Sequence, residues 1–134
     1  MPIIDITDAT FAKEVLESTS PVLVDFHMEA GCGPCRDIAP KVAEIASDLE
    51  GDLKVVKLDY LGHRETANRF AVTGFPTLMI FWGGGLRSVI RGNRPIEQLQ
   101  SWVGTYMNEY TYAKQRREEA ARARESQTGQ TPGH

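Results

Sequence analysis

Cysteine is nearly missing from this chain of 134 residues, which has only Cys32 and Cys35. A link across two intervening residues closes almost no loop of the unfolded chain, so this pair stabilises a fold little. A structural disulfide framework is therefore excluded, and such sparse cysteine suits a reducing cytosol. Long apolar runs are absent too, and none approaches the ~20 residues that span a bilayer. The opening Met1-Pro2-Ile3-Ile4-Asp5 lacks the basic stretch and apolar segment of a signal peptide. Neither charge is in large excess. Fifteen Lys and Arg face eighteen Asp and Glu, a net −3, and nothing in that balance points to nucleic acid. There is no internal repeat. The length suggests one domain with enough interior for a core.

What is present centres on Cys32-Gly33-Pro34-Cys35. Val22 to Phe26 before it is apolar and β-branched, interrupted by Asp25, and reads as a buried strand. After it, Ile38, Val42, Ile45 and Leu49 have helical spacing. The pair thus falls where a strand hands over to a helix, with Cys32 at the helix N-terminus. Unpaired N–H groups and the positive end of the helix dipole there favour a thiolate. Thiols so placed can have pKa values of roughly 3.5–7.5 against about 8.5 when free. The thiolate is the nucleophile of disulfide exchange. Cys35, one turn further in, is expected to be less exposed and able to attack a mixed disulfide formed by Cys32. Pro34 suits a first helical turn, and Gly33 keeps the approach to Cys32 uncrowded. Zinc is the rival reading. It takes four ligands, or three plus water, and the remaining candidates His27, His63 and His134 match no finger spacing. No metal site is expected.

Along the chain, Ile3 to Ile6 suggests a strand, and Thr7 or Asp8 can cap a helix from about Ala9 to Glu17. Val22 to Met28 is the central strand, and the following helix, running to about Leu49, should kink at Pro40. Leu53 to Leu58 is a third strand, and Arg64 to Phe70 a short helix. Leu78 to Phe81 and Arg87 to Arg91 read as strands joined by Gly83-Gly84-Gly85, a hairpin signal. A last helix puts Ile96, Leu99, Val103 and Tyr106 on one face. This order predicts an α/β fold with a mixed sheet of about five strands flanked by four helices. Composition then changes. Residues 1–109 form the domain, and residues 110–134 a charged tail with net charge +2 against −5 for the rest. The tail has no apolar stripe. It reads as a solvated, fraying helix with a disordered Ser126–His134 end, or else as a docking segment for one partner.

Taken together, Val24-Asp25-Phe26, Cys32-Gly33-Pro34-Cys35-Arg36, Ala39-Pro40, Gly74-Phe75-Pro76-Thr77 and Gly92 resemble the thioredoxin family over about Ile3 to Met107. The resemblance implies a thioredoxin fold and a protein-disulfide reductase that needs no cofactor beyond its own cysteine pair. It makes Cys32 the attacking cysteine and Cys35 the resolving one. Pro76 becomes a cis-proline facing the pair, and Phe75 lends its backbone to the substrate. Asp25 becomes the buried acid that moves the proton of Cys35, with Lys57 as its partner. Gly31, Gly33, Pro34 and Gly92 complete the substrate-binding surface. The implied partners are disulfide-containing proteins and a thioredoxin reductase, met by a cytoplasmic monomer. The residues themselves agree on Asp25, since a carboxylate in an apolar strand is raised in pKa by desolvation. A purely structural Asp25–Lys57 pair is the competing reading.

The chain also departs from the family. Thioredoxins carry Trp directly before the first cysteine, where this chain has Gly31. The family's Phe-Trp-Ala-Glu-Trp stretch is Phe26-His27-Met28-Glu29-Ala30-Gly31 here, one residue longer and without either tryptophan. Losing the covering Trp should leave Cys32 more open and alter the surface that a reductase meets. His27 reads either as a replacement for a core aromatic or as a source of charge or proton transfer near the thiolate. Trp102 reads as packing. Two further functions compete with reduction: a scaffold kept for docking through its tail, and an oxidase or isomerase with the same cysteines.

Overall fold

The structure, a computed structural model, describes residues 3–130. In chain order it comprises β1 (Ile3–Ile6), one π-type turn (Ala12–Leu16), β2 (Val22–His27), α1 (Gly33–Asp48), β3 (Lys54–Asp59), α2 (Arg64–Arg69), β4 (Thr77–Trp82), β5 (Gly85–Arg91) and α3 (Ile96–Gln130). The strands form one sheet in the order β1-β3-β2-β4-β5. β1, β3 and β2 run parallel, while β4 pairs antiparallel with β2 and β5 with β4. The β4–β5 turn uses Gly83 and Gly84 at φ +63° and +79°, backbone that residues with a Cβ rarely adopt.

β2 lies at the centre, covered on both faces, and all six of its residues are buried. Successive side chains point to opposite faces. Val22, Val24 and Phe26 join Phe11, Val15, Ala67 and Phe81 on one side. Leu23 joins Ile38, Val42 and Ile45 of α1 and Leu99 and Val103 of α3 on the other. Asp25 and His27 therefore share the face of Leu23, beneath the start of α1. The pairings Asp25–Lys57–Asp5 and His27–Asp59 extend that face across β3 and β1. Its middle is apolar, and its end toward the cysteines carries ionisable groups. α1 continues through Pro40, where a kink is expected; the ring lies on the exposed side, so the missing backbone bond faces solvent.

One expectation is overturned. Thr7 and Asp8 do not cap a helix starting at Ala9. Thr7 and Thr10 instead bond each other, the N–H of each reaching the other's hydroxyl at 2.9 and 3.1 Å, and the helical turn begins only at Ala12. Asp8 caps a different element: its carboxylate accepts the N–H groups of Glu65 (3.1 Å) and Thr66 (2.9 Å) at the start of α2. A cap reaching across more than fifty residues has no local sequence signature. α3 runs as a helix to Gln130, and residues 131–134 of the end expected to be disordered lie outside the described residues.

The change in composition near Glu109 leaves no mark on the backbone of α3. Tyr110 still holds to the body of the domain, its hydroxyl donating to the Thr19 carbonyl at 3.0 Å and its ring meeting Trp82 edge-on at 5.9 Å. From Thr111 to Gln127 nearly every side chain is exposed. Trp102 packs with the core beneath α3, as expected, and donates its indole N–H to Ser88 at 2.9 Å.

Candidate active site

Cys32 precedes the first residue of α1 with extended backbone (φ −127°, ψ 95°), the conformation of an N-cap. Its sulfur accepts the backbone N–H of Cys35 at 3.2 Å, doing for the helix what a serine or aspartate oxygen usually does. The two sulfurs are joined as a disulfide, with Cα atoms 5.2 Å apart. When the bond is reduced, the same N–H and the helix dipole face whatever charge Cys32 acquires. Pro34 lies in the first turn, where its missing N–H costs nothing. A Cβ on Gly33 would meet only an Arg36 guanidinium nitrogen at 3.8 Å, so freedom from crowding does not require glycine there.

Gly31 is a different matter. It stands at φ +76° with nothing within 4 Å of where a Cβ would be. The position has room for a side chain but a left-handed backbone, which L residues adopt at a cost of roughly 1–2 kcal/mol. Asp59 holds the segment down, accepting the Glu29 N–H and the Leu61 N–H on one carboxylate oxygen, each at 3.1 Å.

The expectation that Cys32 would be more open is not met. Cys32 is 5% exposed and Cys35 6%, so the two are equally buried. In the disulfide, the Cys32 sulfur is drawn inward by its bond to Cys35 and the Cys35 N–H, and lies 3.9 Å from the Phe75 carbonyl oxygen.

The second wall of the site is the Phe75–Pro76 peptide, which is cis. Pro76 is buried, and its carbonyl accepts the N–H of Gly92 at 2.8 Å. Gly92 has φ +85°, so glycine is favoured there by the backbone itself. The Phe75 ring packs on Tyr60 at 4.8 Å between centroids, and the Arg64 guanidinium lies 5.3 Å from the Tyr60 ring centroid.

Beneath the pair, Asp25 is 1% exposed, and its Oδ1 has no hydrogen-bond partner. Burial pushes its carboxyl up to about 6, while the charge of neighbouring Lys57 opposes the rise. Lys57 is the register partner of Asp25 on β3, so the expected pair is brought together, though by proximity rather than by a hydrogen bond. His27 is 5% exposed, with Nδ1 3.6 Å from Glu29 Oε2. Burial, helped by Lys57, holds its imidazole below the usual value against the pull of Asp59, Glu29 and Asp5. A cleft of ≈ 130 Å³ opens beside these groups, lined by His27, Glu29, Cys35, Arg36 and Lys57 among others.

Cys32, Cys35, Asp25, Lys57, Phe75, Pro76 and Gly92 therefore converge, and Gly31, Gly33 and Pro34 frame Cys32. Sequence reasoning missed Asp59, whose only local signal is its place at the end of a parallel strand. It also missed the reason for Gly31, which a glycine just before a helix N-cap could have suggested. Among the described residues no group of three or more His, Cys, Asp or Glu side chains could hold a metal ion, and no helix is long and apolar enough to cross a membrane.

Comparison with known proteins agrees with this geometry. The family model described as Thioredoxin matches residues 2–105. Thioredoxin of Pseudomonas aeruginosa is 41% identical over 101 residues, covering 75% of this chain and 93% of that protein. Thioredoxin of Synechocystis sp. is 43% identical over 102 residues, covering 76% and 94%. Thioredoxin 1 of Nostoc sp. is 47% identical over 90 residues, covering 67% and 83%. A scaffold kept only for docking is not favoured by relatives of this kind or by a cysteine pair at bonding distance. The strand-to-helix dithiol, the matching family model and these relatives place the chain in the thioredoxin family, whose members are protein-disulfide oxidoreductases.

Proposed function

We propose that the protein reduces disulfides in protein substrates, with Cys32 attacking and Cys35 resolving. The observation that carries this reading is the Cys32 sulfur seated as the cap of α1, on the Cys35 N–H and against the Phe75 carbonyl. In the reduced protein, the Cys32 thiolate attacks one sulfur of the substrate disulfide, and the other leaves as a thiolate. Cys35 then gives its proton to Asp25 and attacks Cys32. The bond from Cys32 to the substrate breaks, the second substrate thiol is released, and two electrons have passed to the substrate. The product is the Cys32–Cys35 disulfide seen in the structure.

An acid raised to about 6 suits the proton step, because near neutrality it accepts a proton at little cost and returns it easily. Lys57 tunes that acid through its charge. Gly31, Gly33, Pro34, Phe75, Pro76 and Gly92 form the surface on which the substrate strand lies. A dithiol-donating reductase, such as a thioredoxin reductase, regenerates the pair. The protein works as a monomer in the reducing cytoplasm and needs no cofactor, while residues 110–134 form an extension separate from this chemistry.

Trapping tests the assignment. Cys35→Ser should accumulate mixed disulfides with protein partners, and Cys32→Ser should not. The reading fails if neither variant traps anything and the wild-type protein does not speed insulin reduction by dithiothreitol.

A further inference from the structure

The reaction above leaves a proton on Asp25, deep in the interior, and each turnover must remove it. Asp25 is 1% exposed and has one oxygen with no partner, so it has no direct way out. His27 is two residues further along β2, on the same face and about 7 Å on. The His27 ring lines the cleft that also contacts Cys35, and its Nδ1 faces Glu29, whose side chain is 74% exposed at the mouth. The structure therefore presents a titratable ring between a sealed acid and solvent.

We propose that His27 is a proton-relay residue that passes the proton of Asp25 through the cleft beside Cys35 to solvent at Glu29. The proposal rests on the assignment of Asp25 as acceptor of the Cys35 proton. The proton leaves Cys35 as that sulfur attacks Cys32, and it resides on Asp25 while the substrate thiolate departs. It then moves to the free nitrogen of His27, with one water closing the gap, as His27 releases a proton on the side of Glu29. No charge is left behind. Lys57 lines the same cleft, but as an ammonium it has only donors and no lone pair to receive the proton.

The charged groups facing His27 are Asp5 from β1, Lys57 and Asp59 from β3, Glu29 from the loop, Arg36 from α1 and Asp25 from its own strand. Burial moves the acid up and the imidazole down.

The test is single-turnover reduction of a peptide disulfide by the reduced full-length protein between pH 5 and 9. Wild type is compared with His27→Phe and His27→Gln, neither of which titrates. The expected result is unchanged second-order attack by Cys32, a resolution step slowed about tenfold or more, and one ionisation lost from its pH profile. In His27→Ala, added imidazole should restore the resolution rate in proportion to its free base, which a packing role would not produce. Resolution at the wild-type rate with a superimposable profile in either His27→Phe or His27→Gln overturns the relay. If the wild-type protein itself left the peptide disulfide intact, the reductase reading would fall instead.

Discussion

Replacing Asp25 with Asn should make the oxidised protein more stable at neutral pH than at acid pH, relative to wild type. Burial raises this carboxyl from 3.8 to about 6, so the folded state binds its proton more tightly than the unfolded chain does. Below the unfolded value the acid is protonated in both states and costs nothing. As pH rises from about 4 to 6, the unfolded chain releases the proton first, and the wild type loses stability until the folded group also ionises. The rise in proton affinity is about two tenfold steps, each worth about 1.4 kcal/mol, so the loss saturates near 3 kcal/mol by pH 7. The side chain is 1% exposed, so solvent screening takes little from that figure. Asn adds its own buried amide, a pH-independent penalty of about 1–3 kcal/mol. The informative quantity is therefore how the difference between variant and wild type changes with pH. Urea unfolding of both oxidised proteins from pH 4 to 8 should show that difference moving by about 2.5 kcal/mol in favour of Asn, nearly all of it below pH 7. A difference that stays flat, or moves the other way, would mean that the Asp25 site does not disfavour the ionised carboxylate, and the argument from desolvation would be wrong.

Other perturbations follow from the same geometry. Gly31→Ala should cost about 1 kcal/mol in urea unfolding although its Cβ meets nothing, because the cost lies in φ +76°; a neutral result would refute that. Asp8→Ala should remove about 1 kcal/mol at pH 7 by stripping α2 of two acceptors. Although burial opposes it, hydrogen bonding from Thr66 and Glu65 holds Asp8 below its ordinary value, so its contribution is present above pH 4 and fades as pH falls through the folded value. A penalty of equal size in acid would count against the cap. Truncation after Tyr112 should leave the unfolding midpoint nearly unchanged, whereas truncation after Glu109 should lower stability by about 1–2 kcal/mol through loss of the Tyr110 hydrogen bond and ring contact. Equal midpoints would show that Tyr110 contributes nothing.

Much of this was legible in the sequence. The apolar run of β2, the helical spacing of Ile38, Val42 and Ile45, and the glycine turn before β5 rest on local periodicity, and local rules suffice for them. The position of the cysteine pair followed from the same strand-to-helix transition. What stayed hidden depends on distant residues. Asp8 caps a helix far along the chain, and Asp59 secures a loop from the opposite strand. The burial of Cys32 was misjudged because one absent side chain was weighed without the Phe75 carbonyl and the inward bond that hold the sulfur. The length of α3 has another origin. A charge-laced segment without an apolar stripe has little helical stability alone, but here it continues a helix already anchored by Leu99, Val103 and Tyr110.

The single oxygen of Asp59 that receives both Glu29 and Leu61 ties two loops to one post. One of those loops leads to Cys32, and the other carries Tyr60, whose ring packs on Phe75. Displacing either loop strains the bond through which Asp59 holds the other, so Asp59 links the approach to Cys32 with the turn after β3.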